Sequence, residues 1–370
     1  MPFRENKTSG PNIGIGLDLV DGCNLACAQC FYQKSVGHHR IMSTVQVKHI
    51  IDQAVEAQFT ELYLLGGEPT MHPDLKPLLE YADGKFKVII IVTNGVKFAS
   101  EKYCQSIALP GVGISMHRWA IQDTPENSKI VDDLAQMPGT FRRSQKAWAN
   151  IGRLWPKENM VCVQLNVLKP LIDSGLAFEV FKWARSQGYE PIIELTKPGP
   201  IFERGHRLDV SPAEVLAFYE QLRAYDEQYY PHLASKVHTP PSYGHNCTMT
   251  ETGLHVTISG EVIPCVGQPV IILGNIFTQP LTEIIQHPLR EMIRDHQTWL
   301  IGPCRDCEHF DYCHSGCRGE AFWDTGCPRA SDPYCWHQKP FQNLHEMIQT
   351  ACPTCPLKGT PNCNTIPELG

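Results

Sequence analysis

From residue 13 to about residue 195, short runs rich in aliphatic and β-branched residues alternate with amphipathic helical patterns, and no other feature limits the fold so tightly. Repetition of this kind builds a parallel sheet, because neighbouring parallel strands have to be joined by a crossover segment, usually a helix. The strands read as Ile13–Leu19, Glu61–Leu65, Lys87–Val92, Gly111–Ser115, Cys162–Leu168 and Pro191–Leu195. Between them the pattern takes a helical period at Thr44–Ala57, Leu75–Asp83, Phe141–Leu154 and Leu176–Gln187. Six such units predict an α/β fold, a partial (β/α)6 TIM-like barrel. Eight units would close the ring, so six leave it open at the side, and a ligand site is expected at the C-terminal ends of the strands.

An amphipathic helix is expected from Ser211 to Tyr229, followed by PHLASKVHTPPSYGH, which has turn residues and no periodicity and reads as a linker. The chain then becomes dense in cysteine. This part is expected to open with a hairpin, Leu254–Ile258 and Glu261–Pro264 about Ser259–Gly260. The expected organisation is an N-terminal tail (1–10), the barrel (11–207), a helix and linker (208–245), a small cysteine-rich domain (246–340) and a C-terminal tail (341–370).

Charge and hydropathy narrow the function. With 39 acidic against 32 basic residues, a formal charge of −7 and no basic block, the chain offers nothing to track a phosphate backbone, so nucleic acid is not an expected partner. The longest aliphatic run, Val88 to Val92, is too short to span a bilayer, and MPFRENKTSG lacks the apolar stretch of a secretory signal. A cytoplasmic location and no membrane partner are therefore expected. In that compartment sixteen cysteines point to metal rather than to disulfides. Cys104 and Cys162, inside apolar segments, are expected in the core.

Cys23, Cys27 and Cys30 form C-x3-C-x2-C directly after the first strand, so one loop at the mouth of the sheet carries three thiols. A four-iron cluster normally takes four cysteines. Three ligands leave one iron open to a cofactor or substrate, whereas the competing reading is a zinc knuckle. A second motif, Gly66-Gly67-Glu68-Pro69, ends the second strand. Its glycines allow close backbone approach, and its carboxylate is suited to accept hydrogen bonds from an ammonium group.

Together these motifs resemble the radical S-adenosylmethionine (SAM) superfamily. The resemblance implies a [4Fe–4S] cluster on Cys23, Cys27 and Cys30 whose open iron chelates SAM. One electron from that cluster cleaves SAM to a 5′-deoxyadenosyl radical, which abstracts a hydrogen atom from substrate. It also implies that the Gly66 to Pro69 motif binds the methionyl amino group and that Phe31 and Tyr32 pack near the adenine. Ser115 is implied for the methionyl carboxylate and Asn166 for the ribose hydroxyls. Arg204-Gly205 has the look of a family element beyond the sixth strand. The reductant would be a protein such as flavodoxin or ferredoxin.

The second half gives Cys247-x12-Gly260-x4-Cys265, then Cys304-x2-Cys307-x5-Cys313-x3-Cys317, then Cys335. A zinc ribbon accounts for four ligands, not seven. The pattern resembles the SPASM domain, an extension of radical SAM enzymes that holds two auxiliary [4Fe–4S] clusters. The resemblance implies Cys304, Cys307, Cys313 and Cys335 on an outer cluster, and Cys247, Cys265 and Cys317 on an inner one. Cross-ligation of this kind makes metal binding part of folding. Some family members place a fourth inner ligand where this chain has Gly253. Cys327 and the tail cysteines Cys352, Cys355 and Cys363 lie outside the pattern.

Members with this extension usually modify a peptide or protein side chain, and a smaller group acts on sugars and cyclitols. Sulfatase-maturing members place an aspartate after the second cysteine of the array. Val266 follows Cys265 here, which argues against formylglycine formation. Cys23 comes so early that an N-terminal leader-binding domain has no room, and a peptide would use a separate adaptor or bind the barrel mouth directly. The expected function is peptide modification of the maturase type. The alternatives are a dehydrogenase or epimerase of an aminosugar or cyclitol, and a non-enzymatic iron–sulfur scaffold or electron carrier. His117, Glu194 and Glu203 lie near strand ends, and none is assigned a catalytic role.

Overall fold

The computed structural model describes residues 12–30, 40–195, 205–235, 238–239, 242–243, 252–267, 271–294, 296–337 and 344–351. Six parallel strands appear where the apolar runs predict them: β1 (Gly14–Asp18), β2 (Glu61–Leu65), β3 (Val88–Thr93), β4 (Val112–His117), β5 (Val161–Val167) and β6 (Glu190–Leu195). They pair in chain order. The crossovers carry α1 (Thr44–Glu56), α2 (Leu75–Ala82), α3 (Glu101–Ile107), α4 (Pro125–Ala135), α5 (Thr140–Leu154), α6 (Lys169–Asp173) and α7 (Leu176–Gln187). Glycines at both flanks of α7, Gly175 and Gly188, take left-handed backbone angles.

Alternation along the strands sorts side chains onto two faces. Ile15, Leu17, Leu62, Leu64, Ile89, Ile91, Ile114, Val163 and Leu165 join the helices in one continuous core. Each fully buried aliphatic side chain contributes about 1.5–3 kcal/mol relative to exposure. The opposite face, in register across the sheet, carries Gly16, Tyr63, Ile90 and Gly113. It continues through Ser115 and Cys162, His117 and Gln164, and Asn166 and Glu194. This second face is the concave interior of the partial barrel.

After β6, α8 (Pro212–Tyr229) starts with a capping box, Ser211 and Glu214. Asp226 on α8, wholly buried, receives Arg185 of α7 in a two-pronged pair: Nε to Oδ1 at 3.1 Å and Nη2 to Oδ2 at 2.8 Å. A short pair, β7 (His238–Thr239) and β8 (Ser242–Tyr243), follows. The hairpin forms as β9 (Gly253–Val256) and β10 (Glu261–Ile263), with β11 (Gly274–Asn275) beside it.

That hairpin does not stand apart from the barrel sheet. β9 runs parallel to β1, Gly16 facing His255, so among the described residues the sheet has nine strands in the order β11-β10-β9-β1-β2-β3-β4-β5-β6. Glycine at 16 makes the pairing possible, since a Cβ there would stand 2.6 Å from His255 Nδ1. Among the described residues no helix is long and apolar enough to cross a membrane.

Candidate iron–sulfur and SAM site

The loop carrying Cys23, Cys27 and Cys30 leaves β1 and is clamped from two sides. Toward α4, Ala26 N–H and Ala28 N–H donate to the carbonyls of Ala135 and Leu134 at 3.1 and 2.8 Å. Toward β2, Gly67 N–H donates to Val20 O at 2.7 Å and Glu68 N–H to Gly22 O at 2.9 Å. The two glycines of the motif are needed for this second clamp. A Cβ on Gly66 would lie 2.3 Å from the Val20 carbonyl oxygen, and one on Gly67 2.2 Å from that of Gly22. Their backbone approach seats the cysteine loop on the end of β2.

Glu68 is wholly buried and turned into the protein. Its Oε1 accepts from Thr70 N at 3.1 Å and from the hydroxyls of Thr70 and Thr93 at 2.6 Å each, and its Oε2 accepts from Asn94 N at 2.8 Å. Burial pushes its pKa up, and these donors oppose that shift. The carboxylate thus joins the turn after β2 to the turn after β3. Asn94 continues the chain of bonds, its Nδ2 reaching Asn24 Oδ1 at 2.7 Å and Cys23 Sγ at 3.5 Å. Pro69 opens a single helical turn, Pro69–Met71, and is buried.

The donor set suits a cationic cluster. Burial raises the Cys23 thiol to about 11, and the charges of Glu68 and Cys30 push the same way, while Leu25 N–H and Asn94 favour the thiolate. Such a thiol ionises readily only when a metal supplies positive charge. Leu25 N–H bonds Cys23 Sγ at 3.4 Å, the kind of contact that tunes a cluster sulfur.

The other predicted SAM contacts lie on the interior face. Ser115 on β4 is 6% exposed, and Asn166 on β5 is 8% exposed. Asn166 Oδ1 accepts from Trp119 Nε1 at 3.0 Å, and its Nδ2 approaches Glu194 Oε2 at 3.5 Å. Beside them burial lowers the pKa of His117 to about 4, a shift partly offset by a bond with Asn166; its Nδ1 is buried and without a partner. Phe31, Tyr32, Glu203 and Arg204 lie outside the described residues.

One interior grouping escaped the reading of motifs. His255 Nε2 stands 3.1 Å from Asp18 Oδ1, close enough for an ion pair without the alignment of a hydrogen bond, and both side chains are buried. An aspartate inside the otherwise apolar run GIGLDLV was the available signal. Nothing in the sequence pointed to its partner, 237 positions away. Cys104 and Cys162 are buried as expected, their thiols raised to about 11 and about 12 by burial.

In the C-terminal region Cys304 and Cys335 lie within electrostatic reach of Cys313; burial raises the Cys313 thiol, and the charges of Asp332, Cys304 and Cys335 add to this. Cys307 N–H donates to Cys304 O at 3.4 Å, and Cys307 Sγ accepts from His309 N at 3.4 Å. The segment after Cys265 lies against the segment after Cys317. A Cβ on Gly319, in the first turn of helix Arg318–Thr325, would meet the Gly267 carbonyl oxygen at 2.6 Å. Gly253 is committed to β9. Cys247, Cys352, Cys355 and Cys363 lie outside the described residues, and among those described no three His, Cys, Asp or Glu side chains close on a single-ion site.

The chain is similar to known proteins along most of its length. Residues 17–118 match the radical SAM superfamily and residues 247–308 an iron–sulfur cluster-binding domain, SPASM. An AdoMet-dependent heme synthase of Methanosarcina barkeri is 28% identical, over 89% of this chain and 97% of its own. The mycofactocin maturase MftC of Mycobacterium ulcerans is 26% identical over 86% of both chains. A PqqA peptide cyclase of Methylocella silvestris is 24% identical over 87% of both. In fold, the chain is similar to Streptococcus suis SuiB bound to S-adenosylmethionine, with a TM-score of 0.64 and 17% identity over 88% of this chain and 77% of that one.

Proposed function

We propose that this chain, a member of the radical SAM superfamily with a SPASM iron–sulfur domain, modifies a peptide or protein side chain by hydrogen-atom abstraction. The observation that carries the radical chemistry is the seating of the Cys23, Cys27 and Cys30 loop on the Gly66 to Pro69 turn, at the C-terminal ends of the strands. Cys23, Cys27 and Cys30 would hold a [4Fe–4S] cluster that, with SAM, would supply a 5′-deoxyadenosyl radical. The chain's own residues hold the loop and form the interior face beside it. Ser115 and Asn166 on the interior face would meet SAM, and Asp18, His255, His117 and Glu194 give the interior its acid–base groups.

The peptide reading draws support from the relatives named for maturation and peptide cyclisation. Cys247, Cys265 and Cys317, with Cys304, Cys307, Cys313 and Cys335, would hold two auxiliary clusters that hold substrate or pass electrons. A flavodoxin or ferredoxin would supply the reducing electron, and a separate adaptor would deliver the peptide. A second reading, a tetrapyrrole substrate, rests on the heme synthase relative, which this chain matches over 97% of its length.

The test is to incubate the reconstituted protein, SAM and dithionite with candidate precursor peptides, and separately with a tetrapyrrole. A mass change in the peptide that depends on SAM supports the first reading. Turnover of the tetrapyrrole alone overturns it in favour of the second.

A further inference from the structure

Among the largest wholly buried side chains is a charged one, Arg318, which directly follows Cys317. Its Nη1 donates to the carbonyls of Ala330 and, at 3.2 Å, Pro328; its Nη2 donates to that of Ser315; its Nε has no acceptor. Among the described residues these carbonyls, and no carboxylate, receive its donors. A guanidinium so placed is costly unless negative charge lies close by.

Asp332 is the opposite charge, 1% exposed. Its Oδ2 accepts from Cys317 N at 2.5 Å and its Oδ1 from Tyr334 N at 2.7 Å, while its carbonyl accepts from Cys335 N at 3.2 Å. Gly316 leaves the space, since a Cβ there would stand 2.1 Å from the carboxylate. Beside Asp332, Ser331 Oγ accepts from Cys304 N at 3.0 Å. The two charges therefore sit in the framework of the same cysteines. Arg318 holds the Ala330 carbonyl, one residue before the Ser331 that binds Cys304 N and two before Asp332, which binds the N–H groups of Cys317 and Cys335.

We propose that Arg318 and Asp332 are an opposed pair of buried charges that sets the reduction potential of the outer auxiliary cluster, Arg318 raising it and Asp332 lowering it. This rests on the auxiliary-cluster reading of Cys304, Cys307, Cys313 and Cys335. Reduction adds one negative charge to a cluster, so a fixed cation nearby stabilises the reduced form and a fixed anion destabilises it. In a buried site both effects are weakly screened.

The experiment uses the full chain with Cys23, Cys27 and Cys30 changed to alanine, reconstituted with iron and sulfide so that only auxiliary clusters form. Potentials are read by electron paramagnetic resonance during redox titration, the outer cluster being the signal lost on Cys304→Ala. Arg318→Met should move its midpoint negative, Arg318→Lys should restore most of the change, and Asp332→Asn should move it positive, with iron content held. Midpoints that stay put, or that move the same way in Arg318→Met and Asp332→Asn, overturn the proposal. Should Arg318→Met fail to hold iron, Asp332→Asn still decides: no positive shift overturns it. A parent protein that binds no iron overturns the auxiliary-cluster reading itself, an outcome distinct from loaded clusters with unmoved potentials.

Discussion

Glu68 Oε2 accepts the Asn94 N–H at 2.8 Å, and through Asn94 the buried carboxylate is linked to the sulfur of Cys23. Glu68→Gln keeps the size but turns an NH2 group toward Thr93, Thr70 or Asn94. Leaving buried partners mismatched costs about 1–3 kcal/mol. The variant should retain its auxiliary iron yet lose iron from the N-terminal cluster during gel filtration, with 5′-deoxyadenosine formation down roughly tenfold or more, as about 1.4 kcal/mol per factor of ten requires. Iron content and SAM cleavage measured on the same sample check this.

Gly67→Ala should be more damaging still. Its new methyl meets the Gly22 backbone at 2.2 Å, and backbone has no rotamer into which to retreat. The cysteine loop must shift, so SAM cleavage should fall to background while the auxiliary iron remains. Gly84→Ala is the control. Gly84 has a positive φ, unlike Gly67, but nothing within 4 Å, so only backbone strain is expected and cleavage should persist.

How much of this was legible in advance follows from range. The six strands, their order and the Cys23 to Cys30 loop could be read because apolar runs and ligand spacings are local signals. The inward turn of Glu68 could not, because its partners Thr93 and Asn94 come from the next strand end and look like ordinary turn residues. The parallel pairing of β9 with β1 was equally hidden. Periodicity marks His255 as part of a strand and says nothing about which strand it joins, and only the missing side chain at Gly16 hints at a close neighbour. Asp332 sits in a stretch without periodicity, where an aspartate before proline reads as turn chemistry.

The Arg185–Asp226 pair should hold α8 against α7. Both groups are buried, so removing one leaves an uncompensated charge, a loss of about 3–5 kcal/mol. Arg185→Ala should therefore lower the urea midpoint strongly, whereas removing an exposed pair such as Lys129 and Asp133 should cost about 0–1 kcal/mol.

His117 should make the fold sensitive to acid. Burial holds its folded pKa at about 4, below the roughly 6.5 of an unfolded histidine. Between those values the unfolded chain binds the proton and the folded one does not. Stability is therefore full above about pH 6.5 and falls as pH drops toward 4. From pH 7 to pH 5 the wild type should lose about 2 kcal/mol more than His117→Asn, read from urea midpoints at the two pH values.

The central claim is that Cys23, Cys27 and Cys30 hold the cluster that cleaves SAM. The protein is reconstituted with iron and sulfide without oxygen, given SAM and dithionite, and compared with the variant in which all three cysteines are alanine. The account predicts 5′-deoxyadenosine from the wild type alone, with about four of about twelve irons lost in the variant. Cleavage that persists in the triple variant, or iron content that does not change, would contradict it.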